Sequence, residues 1–359
     1  MGQITDKKKY SDGHLPQLDG IKGLICFFII FVHYYNRTPS GAFPIFWIPS
    51  VFVEKGWMFV EFFFIISGFL FAYSQKERIK TAKFGGYVLA RLKRVYPPVL
   101  FITVLDVVLR LVQMVINQTG DRLSVSGVLQ SLTFATTWIY NGEPFPTVVW
   151  YIHVLFLCYL VYYLIGKGKD QSAYLTGVIA LAFFGWALYT AKLDLPFLYK
   201  NIGRGYLAFS VGLLIHEFQV SVPEHTRKIL SYTAAILAGA TVALGMSFTF
   251  DAVFGDLLLA YTLFLFPTAM LCLLNIPLVA KIFSMRPLVW LGKLSMSTFL
   301  VHVPVMNLIQ ALCYRSGSMP FNRASSFYIV LLLIFAASAA WYYLVERKLI
   351  PKFVCLFRK

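Results

Sequence analysis

Long apolar segments, separated by short polar loops, run through most of the chain. About ten of them reach the ~20 residues that an α-helix needs to cross a bilayer. The sixth is short and contains Arg204, so it is the weakest of the set. The pattern predicts an all-α polytopic membrane protein with about ten transmembrane helices. We place the spans near residues 18–35, 57–74, 95–116, 147–165, 172–190, 201–216, 229–249, 253–274, 288–311 and 325–345.

Lysine and arginine residues are spread unevenly over the loops between these segments. With ten spans both termini share one side, and the loops there carry about three times as many basic residues as the opposite loops. The positive-inside rule then places both termini in the cytoplasm. We expect one transmembrane domain over residues 1–359, with a cytoplasmic N-terminal segment at 1–17 and a cytoplasmic tail at 346–359. The chain is expected to be a multi-pass protein of the plasma membrane.

The composition supports this class of protein and excludes others. Of the 359 residues, 58% are hydrophobic and only 13% are charged, which excludes an ordinary soluble domain. The formal charge of +16 lies largely in loops beside apolar spans, where membrane lipids are the expected partners and nucleic acid is not. Five cysteines without a C-x-x-C spacing predict neither a disulfide framework nor a metal site.

The first span carries two ionisable residues that are costly to place in lipid. Lys22 and His33 are eleven positions apart, so they share one helix face, roughly 16 Å apart along the axis. Ionisable groups inside a span usually mark a functional site that faces the helix bundle. The alternative is that Lys22 snorkels to the interface and pairs with Asp19, while His33 is an interfacial residue.

The second span contains a lone carboxylate and a pair of small residues. Glu61 is the only charge in the run GWMFVEFFFIISGFLFAYS and needs a partner, which Arg37, Lys55 or His33 could supply. Ser67 and the glycine that follows it would let another helix approach closely, and packing is the favoured interpretation of this pair.

The loop after the second span is the most basic part of the chain and ends in RLKRVYPP. Arg91 and Arg94 are three residues apart, so they share a face if a helix begins here. Paired guanidinium groups suit phosphate oxygens, although a basic loop beside anionic lipid explains them as well. Pro97 and Pro98 are expected to bend the chain at the membrane surface.

Three further candidates lie in later spans. His153 follows Trp150 at the start of the fourth span. Lys293 and His302 are nine positions apart in the ninth, which repeats the lysine–histidine arrangement of the first span in looser form. Each histidine alone is more often a satisfied polar group than a catalyst. Glu346, at the end of the last span, is most simply an interfacial residue.

Several of these segments together resemble the acyltransferase-3 family of integral-membrane acyltransferases. LDGIKGLICFFIIFVHY resembles the first helix of that family, and VEFFFIISGFLF its second. RLKRVYPP is similar to the R-x-x-R loop with its following Tyr-Pro, and LGKLSMSTFLVHVPV and YYLVERKLIP are similar to two segments near the end. The similarity extends from residue 16 to residue 351, in the family's order and spacing.

The resemblance implies an acyl-CoA-dependent O-acyltransferase. Acyl-CoA, with acetyl-CoA as the expected donor, would bind from the cytoplasm as a co-substrate, and no cofactor would be bound permanently. The acceptor would be a hydroxyl of a surface carbohydrate, free or lipid-linked, on the outer side. His33 would be the catalytic base and Glu61 its orienting carboxylate. Arg91, Arg94 and Lys22 would hold the CoA phosphates and pantetheine.

The chain departs from the family pattern at three places. Lys22 replaces an arginine, which keeps the charge but loses the forked donor geometry. Glu61 stands where the family has aspartate. The run from Trp150 to Leu155 lacks the carboxylate that the fourth helix of the family often carries. A non-catalytic member that only binds is therefore one alternative. A second is a transporter or flippase for a glycan, which would use the same intramembrane charges as a substrate path.

Overall fold

The computed structural model describes residues 14–38, 53–117, 123–138, 144–168, 170–247, 256–315, 321 and 324–356. It is 88% helical, so the expected all-α class is confirmed. The helices in chain order are α1 Pro16–Tyr35, α2 Phe59–Thr81, α3 Phe84–Asn117, α4 Val125–Leu132, α5 Trp150–Gly166, α6 Gln171–Ala191, α7 Lys200–Ser221, α8 Glu224–Ser247, α9 Leu257–Asn275, α10 Pro277–Phe283, α11 Arg286–Lys293, α12 Ser295–Arg315, α13 Ala324–Trp341 and α14 Ile350–Leu356.

Shorter elements complete the described chain. Single 3₁₀ turns are present at Gly56–Met58, Ala135–Thr137 and Thr147–Val149. A π-helical turn, Tyr261–Leu265, lies inside α9, and a longer one, Tyr342–Leu349, joins α13 to α14. Two short strands, β1 (Asp194–Leu195) and β2 (Leu198–Tyr199), form an antiparallel hairpin between α6 and α7 in which Asp194 pairs with Tyr199. The π-helical turn after α13 contains Glu346.

Eight helices in the described ranges are long and apolar enough to cross a membrane. They coincide with eight of the predicted spans, and the other two predictions, 201–216 and 229–249, fall on α7 and α8. A multi-pass membrane protein is therefore supported. The number of crossings and the cytoplasmic placement of both termini stay predictions, and residues 1–13 of the expected N-terminal segment lie outside the described residues.

Three boundaries differ from the sequence-based expectation. Helix α3 begins at Phe84, earlier than the predicted span, and continues through Pro97 and Pro98, so these prolines do not end the helix. Each proline costs the helix one backbone hydrogen bond, and the 34-residue helix tolerates this loss. The predicted ninth span is divided at Leu294, which ends α11, so Lys293 and His302 lie on different helices. The expected tail is helical through Leu356.

Helix α2 lies at the centre of the bundle. Of its most apolar window, 78% of residues are buried within the protein, against 28% for α6. Phe64 and Phe69 on α2 are fully buried against α5 and α7. Large apolar side chains on the peripheral helices are exposed; Leu332, for example, has 70% of its surface exposed. Such apolar exposure suits contact with lipid chains.

The close approach of α2 and α7 depends on a glycine. A methyl group at Gly68 would overlap the backbone carbonyl of Phe209, which cannot move without shifting α7. Gly212 meets Ile65 in the same way from the other helix. The prediction that the Ser67–Gly68 pair admits a neighbouring helix is confirmed, and small residues are the general means of close helix packing in membranes.

Candidate functional site

Two cavities lie along α1, and they share one wall. The first, which we name the Lys22 cavity, has a volume of about 410 Å³ and lies beside the N-terminal half of α1. The second, the His33 cavity, has a volume of about 250 Å³ and lies beside the C-terminal half. Phe299 of α12 lines both of them. The continuous helix α1 therefore presents Lys22 to one cavity and His33 to the other.

The Lys22 cavity brings together charged side chains from four parts of the chain. Three are cations, and they come from α1, α3 and α11; the two carboxylates come from α1 and the π-helical turn after α13. The five residues are Asp19, Lys22, Arg94, Lys293 and Glu346. Lys22 Nζ lies 2.6 Å from Asp19 Oδ1, so the local ion pair that the sequence suggested is present. Lys22 nevertheless faces a cavity, as the functional interpretation requires.

A close contact between α1 and α11 places Lys293 in this cavity. Gly292 lies against the backbone carbonyl of Asp19, at a distance that leaves no room for a side chain. The chain ends α11 directly after it, at Lys293, and begins α12 at Ser295. The break turns Lys293 toward Lys22 and Arg94, and it explains why the interrupted ninth span contributes to both cavities.

The wall between the cavities is aromatic. The ring centroids of Tyr151 and Phe63 lie 5.3 Å and 6.1 Å from that of Phe299. Tyr151 is anchored by a hydrogen bond between its hydroxyl and Ser67 Oγ, 3.1 Å apart. Ser67 therefore lies in the Lys22 cavity and holds part of the wall, in addition to its place beside the packing glycine.

The His33 cavity contains a buried arginine between two indole rings. The Arg204 guanidinium carbon lies 5.0 Å from the Trp57 ring centroid and 5.1 Å from that of Trp150. Its Nε donates to Glu61 Oε1 in an ion pair, and its Nη1 lies 3.3 Å from Asn201 Oδ1. Nη2 has no hydrogen-bond partner in the described part of the chain. The Arg204 side chain lines the cavity, and this nitrogen is a buried donor with no partner there among the described residues.

Arg204 also resolves the question of the partner of Glu61. The sequence suggested Arg37, Lys55 or His33, and the structure shows that this expectation was wrong. Glu61 is fully buried, and Arg204 has 8% of its surface exposed. The two residues are 143 positions apart in the sequence. A buried carboxylate needs a close opposite charge, and α7 supplies it because the small residues at its contact with α2 let the two helices touch. Glu61 itself does not line the His33 cavity.

The end of α1 that contains His33 is fixed to α12. Arg37 Nη1 donates to the backbone carbonyl of His33 over 2.8 Å, and Arg37 Nη2 donates to Asn307 Oδ1 over 2.7 Å. The imidazole ring of His33 meets that of His302, with ring centroids 4.9 Å apart. The two histidines that the sequence placed 269 positions apart are therefore neighbours.

Four sequence-predicted candidates line neither cavity: Glu61 and His302, which contact residues that line the His33 cavity, and also Arg91 and His153. Arg91 stacks over the rings of Tyr87 and Tyr159, at 5.4 Å and 5.8 Å, and donates to Gln75. Arg91 and Arg94 are three residues apart on α3, but only Arg94 lines the Lys22 cavity. His153 is fully buried with its ring 4.7 Å from that of Phe134, and it lines neither cavity.

Sequence reasoning missed several residues of the site. Glu346 was assigned to the interface, yet it lines the Lys22 cavity and accepts a hydrogen bond from Ser297 over 2.7 Å. Phe299 and Asn201 were not identified, because an aromatic residue and an uncharged amide in an apolar span do not stand out in a single sequence. Within the described ranges, no three or more of the side chains that commonly bind metals cluster together.

The arrangement provides the elements of an acyl transfer. One cavity offers cations for a phosphorylated ligand, and the other offers an imidazole that can take a proton beside a guanidinium that can stabilise negative charge. A family model described as an acyltransferase domain matches residues 15–345, which is nearly the whole chain. No curated protein and no solved structure matches the chain. The chain therefore belongs to the acyltransferase-3 family, and it is a membrane acyltransferase.

Proposed function

We propose that the protein moves an acyl group, expected to be acetyl, from acyl-CoA to a carbohydrate hydroxyl. The observation that carries this proposal is the placement of Lys22 and His33 on one continuous helix, each facing its own cavity. The two residues are roughly 16 Å apart along the helix axis, which is of the order of the length of a pantetheine arm. A donor held by its phosphates at one cavity can thus present its thioester near the other.

The Lys22 cavity is the proposed site of the CoA moiety. Lys22, Arg94 and Lys293 supply three cations for phosphate oxygens and for the pantetheine amides. With both termini in the cytoplasm, the N-terminal half of α1 faces the cytoplasm, where acyl-CoA is available. We therefore replace Arg91 by Lys293 in the expected set of donor-binding residues, because Arg91 faces tyrosine rings instead of the cavity.

The His33 cavity is the proposed site of the acceptor and of the reaction. His33 takes the proton of the acceptor hydroxyl as its oxygen attacks the thioester carbonyl carbon. Imidazole suits this role because its unperturbed pKa is about 6.5. The C–O bond forms and the C–S bond breaks, and the proton passes from His33 to the departing thiolate of CoA. The free Nη2 of Arg204 donates to an oxygen in the cavity. Glu61 keeps Arg204 in place, so we assign it a positioning role.

An assay of surface glycan tests this function directly. Cells that express the chain and cells that carry the empty vector are compared for base-labile acyl esters on the extracted surface glycan. We expect esters only when the chain is expressed, and the mass of the released acid identifies the acyl group. Equal ester content in both strains, in a host whose glycan is exported normally, would contradict acyl transfer and favour the transporter alternative.

The two neighbouring arginines provide a matched test of the donor site. Replacing Arg94 by glutamine removes a cation from the Lys22 cavity, so we expect the KM for acetyl-CoA to rise about 10–100-fold. Replacing Arg91 by glutamine makes the same chemical change three residues away, outside the cavity, and should change that KM by less than about threefold. Initial rates of label transfer in membrane vesicles measure both. Equal effects of the two changes would exclude Arg94 as a specific donor contact.

A further inference from the structure

A second histidine, His302, lies directly behind His33. The two ring centroids are 4.9 Å apart, and the ring planes are inclined by 60°. His302 is fully buried and does not line the His33 cavity, whereas His33 is partly exposed and does. His302 therefore contacts the proposed base from inside the protein, where no substrate reaches it.

The hydrogen bond of His302 fixes which of its nitrogens carries a proton. Nδ1 lies 3.0 Å from the backbone carbonyl oxygen of Thr298. A carbonyl oxygen can only accept, so Nδ1 carries the hydrogen. The ring is neutral because it is fully buried and no carboxylate contacts it in the described part of the chain. Nε2 of His302 consequently carries no hydrogen and keeps its lone pair.

That lone pair is an unsatisfied buried acceptor. Nε2 of His302 has no hydrogen-bond partner among the described residues. Buried polar atoms are nearly always paired, so an unpaired one requires an explanation. The neighbouring ring of His33 has an N–H to offer. In the structure the two rings meet at a centroid separation of 4.9 Å without a hydrogen bond, so the His33 ring must turn to bring its N–H onto Nε2 of His302.

We propose that His302 is a positioning residue that orients His33 for acyl transfer, an inference that rests on the proposed function. Nε2 of His302 accepts the N–H of the His33 ring when acceptor and donor are bound. The other nitrogen of His33 then presents its lone pair to the acceptor hydroxyl in the cavity. A base held by a third group in this way is the general arrangement that activates a hydroxyl nucleophile.

The same contact acquires strength during the reaction. Once His33 has taken the hydroxyl proton, both of its nitrogens carry hydrogen, and its bond to His302 becomes charge-assisted. An interaction that is stronger in the transition state than in the ground state lowers the barrier without tightening substrate binding. His302 gains and loses no proton in this scheme, so the proton balance of the proposed reaction is unchanged.

The other charged groups near His33 do not compete for this role. Arg37 directs its Nη hydrogens to the His33 carbonyl and to Asn307, and as a cation it has no lone pair to offer. Arg204 is likewise a donor, and the carboxylate of Glu61 is paired with it. Among these neighbours of His33, the neutral ring of His302 is therefore the one that can accept a hydrogen bond from the second nitrogen of His33.

Replacement of His302 tests the inference through its effect on kcat. His302→Phe keeps an aromatic ring but removes the acceptor, and His302→Met does the same with a flexible side chain. His302→Gln places an amide oxygen near the former Nε2. We expect the first two changes to lower kcat about 10–100-fold, with KM for acetyl-CoA changed less than twofold, and glutamine to restore most of the rate. Label transfer from acetyl-CoA to the host surface glycan in membrane vesicles, per mole of folded protein, supplies both constants.

His153→Phe is the matched control, because His153 is also fully buried beside an aromatic ring and lines neither cavity. We expect it to keep the wild-type kcat. The inference is overturned if the phenylalanine or methionine variant keeps at least half of the wild-type kcat, if glutamine is no better than methionine, or if KM rises in step with the loss of kcat. A wild type that transfers no label would overturn the proposed function as well, whereas a loss confined to His33→Ala would overturn the His302 inference alone.

Discussion

Cells that express the His33→Ala variant are expected to lack the base-labile acyl ester that the wild-type chain produces. The change removes the group that takes the hydroxyl proton, and general base catalysis is typically worth about 10²–10⁴ in rate. Over the time of a culture, a loss of this size leaves ester at the level of the empty vector. The measurement is ester per mass of surface glycan, with the amount of protein in the membrane determined in parallel.

The control for this change is another histidine on the same chain. His225 lies exposed at the start of α8 and lines neither cavity, so His225→Ala should leave the ester content unchanged. His33→Ala should also leave the protein level unchanged, because His33 lies at a cavity wall and a smaller side chain causes no overlap. Full ester formation by a well-expressed His33→Ala variant would exclude His33 as the base.

Disruption of the Glu61–Arg204 pair should give the largest effect on stability. Glu61→Gln leaves the buried guanidinium of Arg204 without a counter-charge, and the removal of one partner from a buried pair typically costs about 3–5 kcal/mol. We expect a clear fall in the melting temperature of the detergent-solubilised protein. Glu224→Gln breaks an exposed pair with Lys228 and should leave the melting temperature nearly unchanged.

A double variant separates the structural part of this pair from its function. Glu61→Leu combined with Arg204→Met replaces both charges by apolar side chains and should recover most of the lost stability, as apolar replacement of buried pairs generally does. We expect the stable double variant to remain impaired in acyl transfer, because Arg204 no longer donates into the His33 cavity. A double variant with wild-type activity would reduce the pair to a purely structural role.

The sequence predicted what depends on local spacing. Helix α1, with Lys22 and His33 on one face, and the close packing at Gly68 both follow from patterns of a few residues. Which residues share a helix face, and where small residues occur on it, follows from helix geometry, so no knowledge of distant segments is needed.

The partners of the buried charges could not be predicted in the same way. Arg204 and Glu61 are 143 residues apart, and His33 and His302 are 269 apart. Which of several intramembrane charges meet is decided by the order in which helices pack, and a single sequence contains no record of that order. The break at Leu294 escaped notice for a related reason, since both sides of it are apolar and the hydrophobic pattern continues across it.

The shared wall at Phe299 has an electrical consequence. In the proposed orientation, each cavity extends the watery phase on its own side of the membrane toward the middle of the protein. Most of the membrane voltage would then fall across the layer formed by Phe299, Tyr151 and Phe63, whose rings are in contact. Moving one elementary charge through 100 mV involves about 2.3 kcal/mol, so a leak at this layer would drain the gradient that the cell maintains. In the proposed orientation the three rings would therefore be the insulating layer between the two cavities.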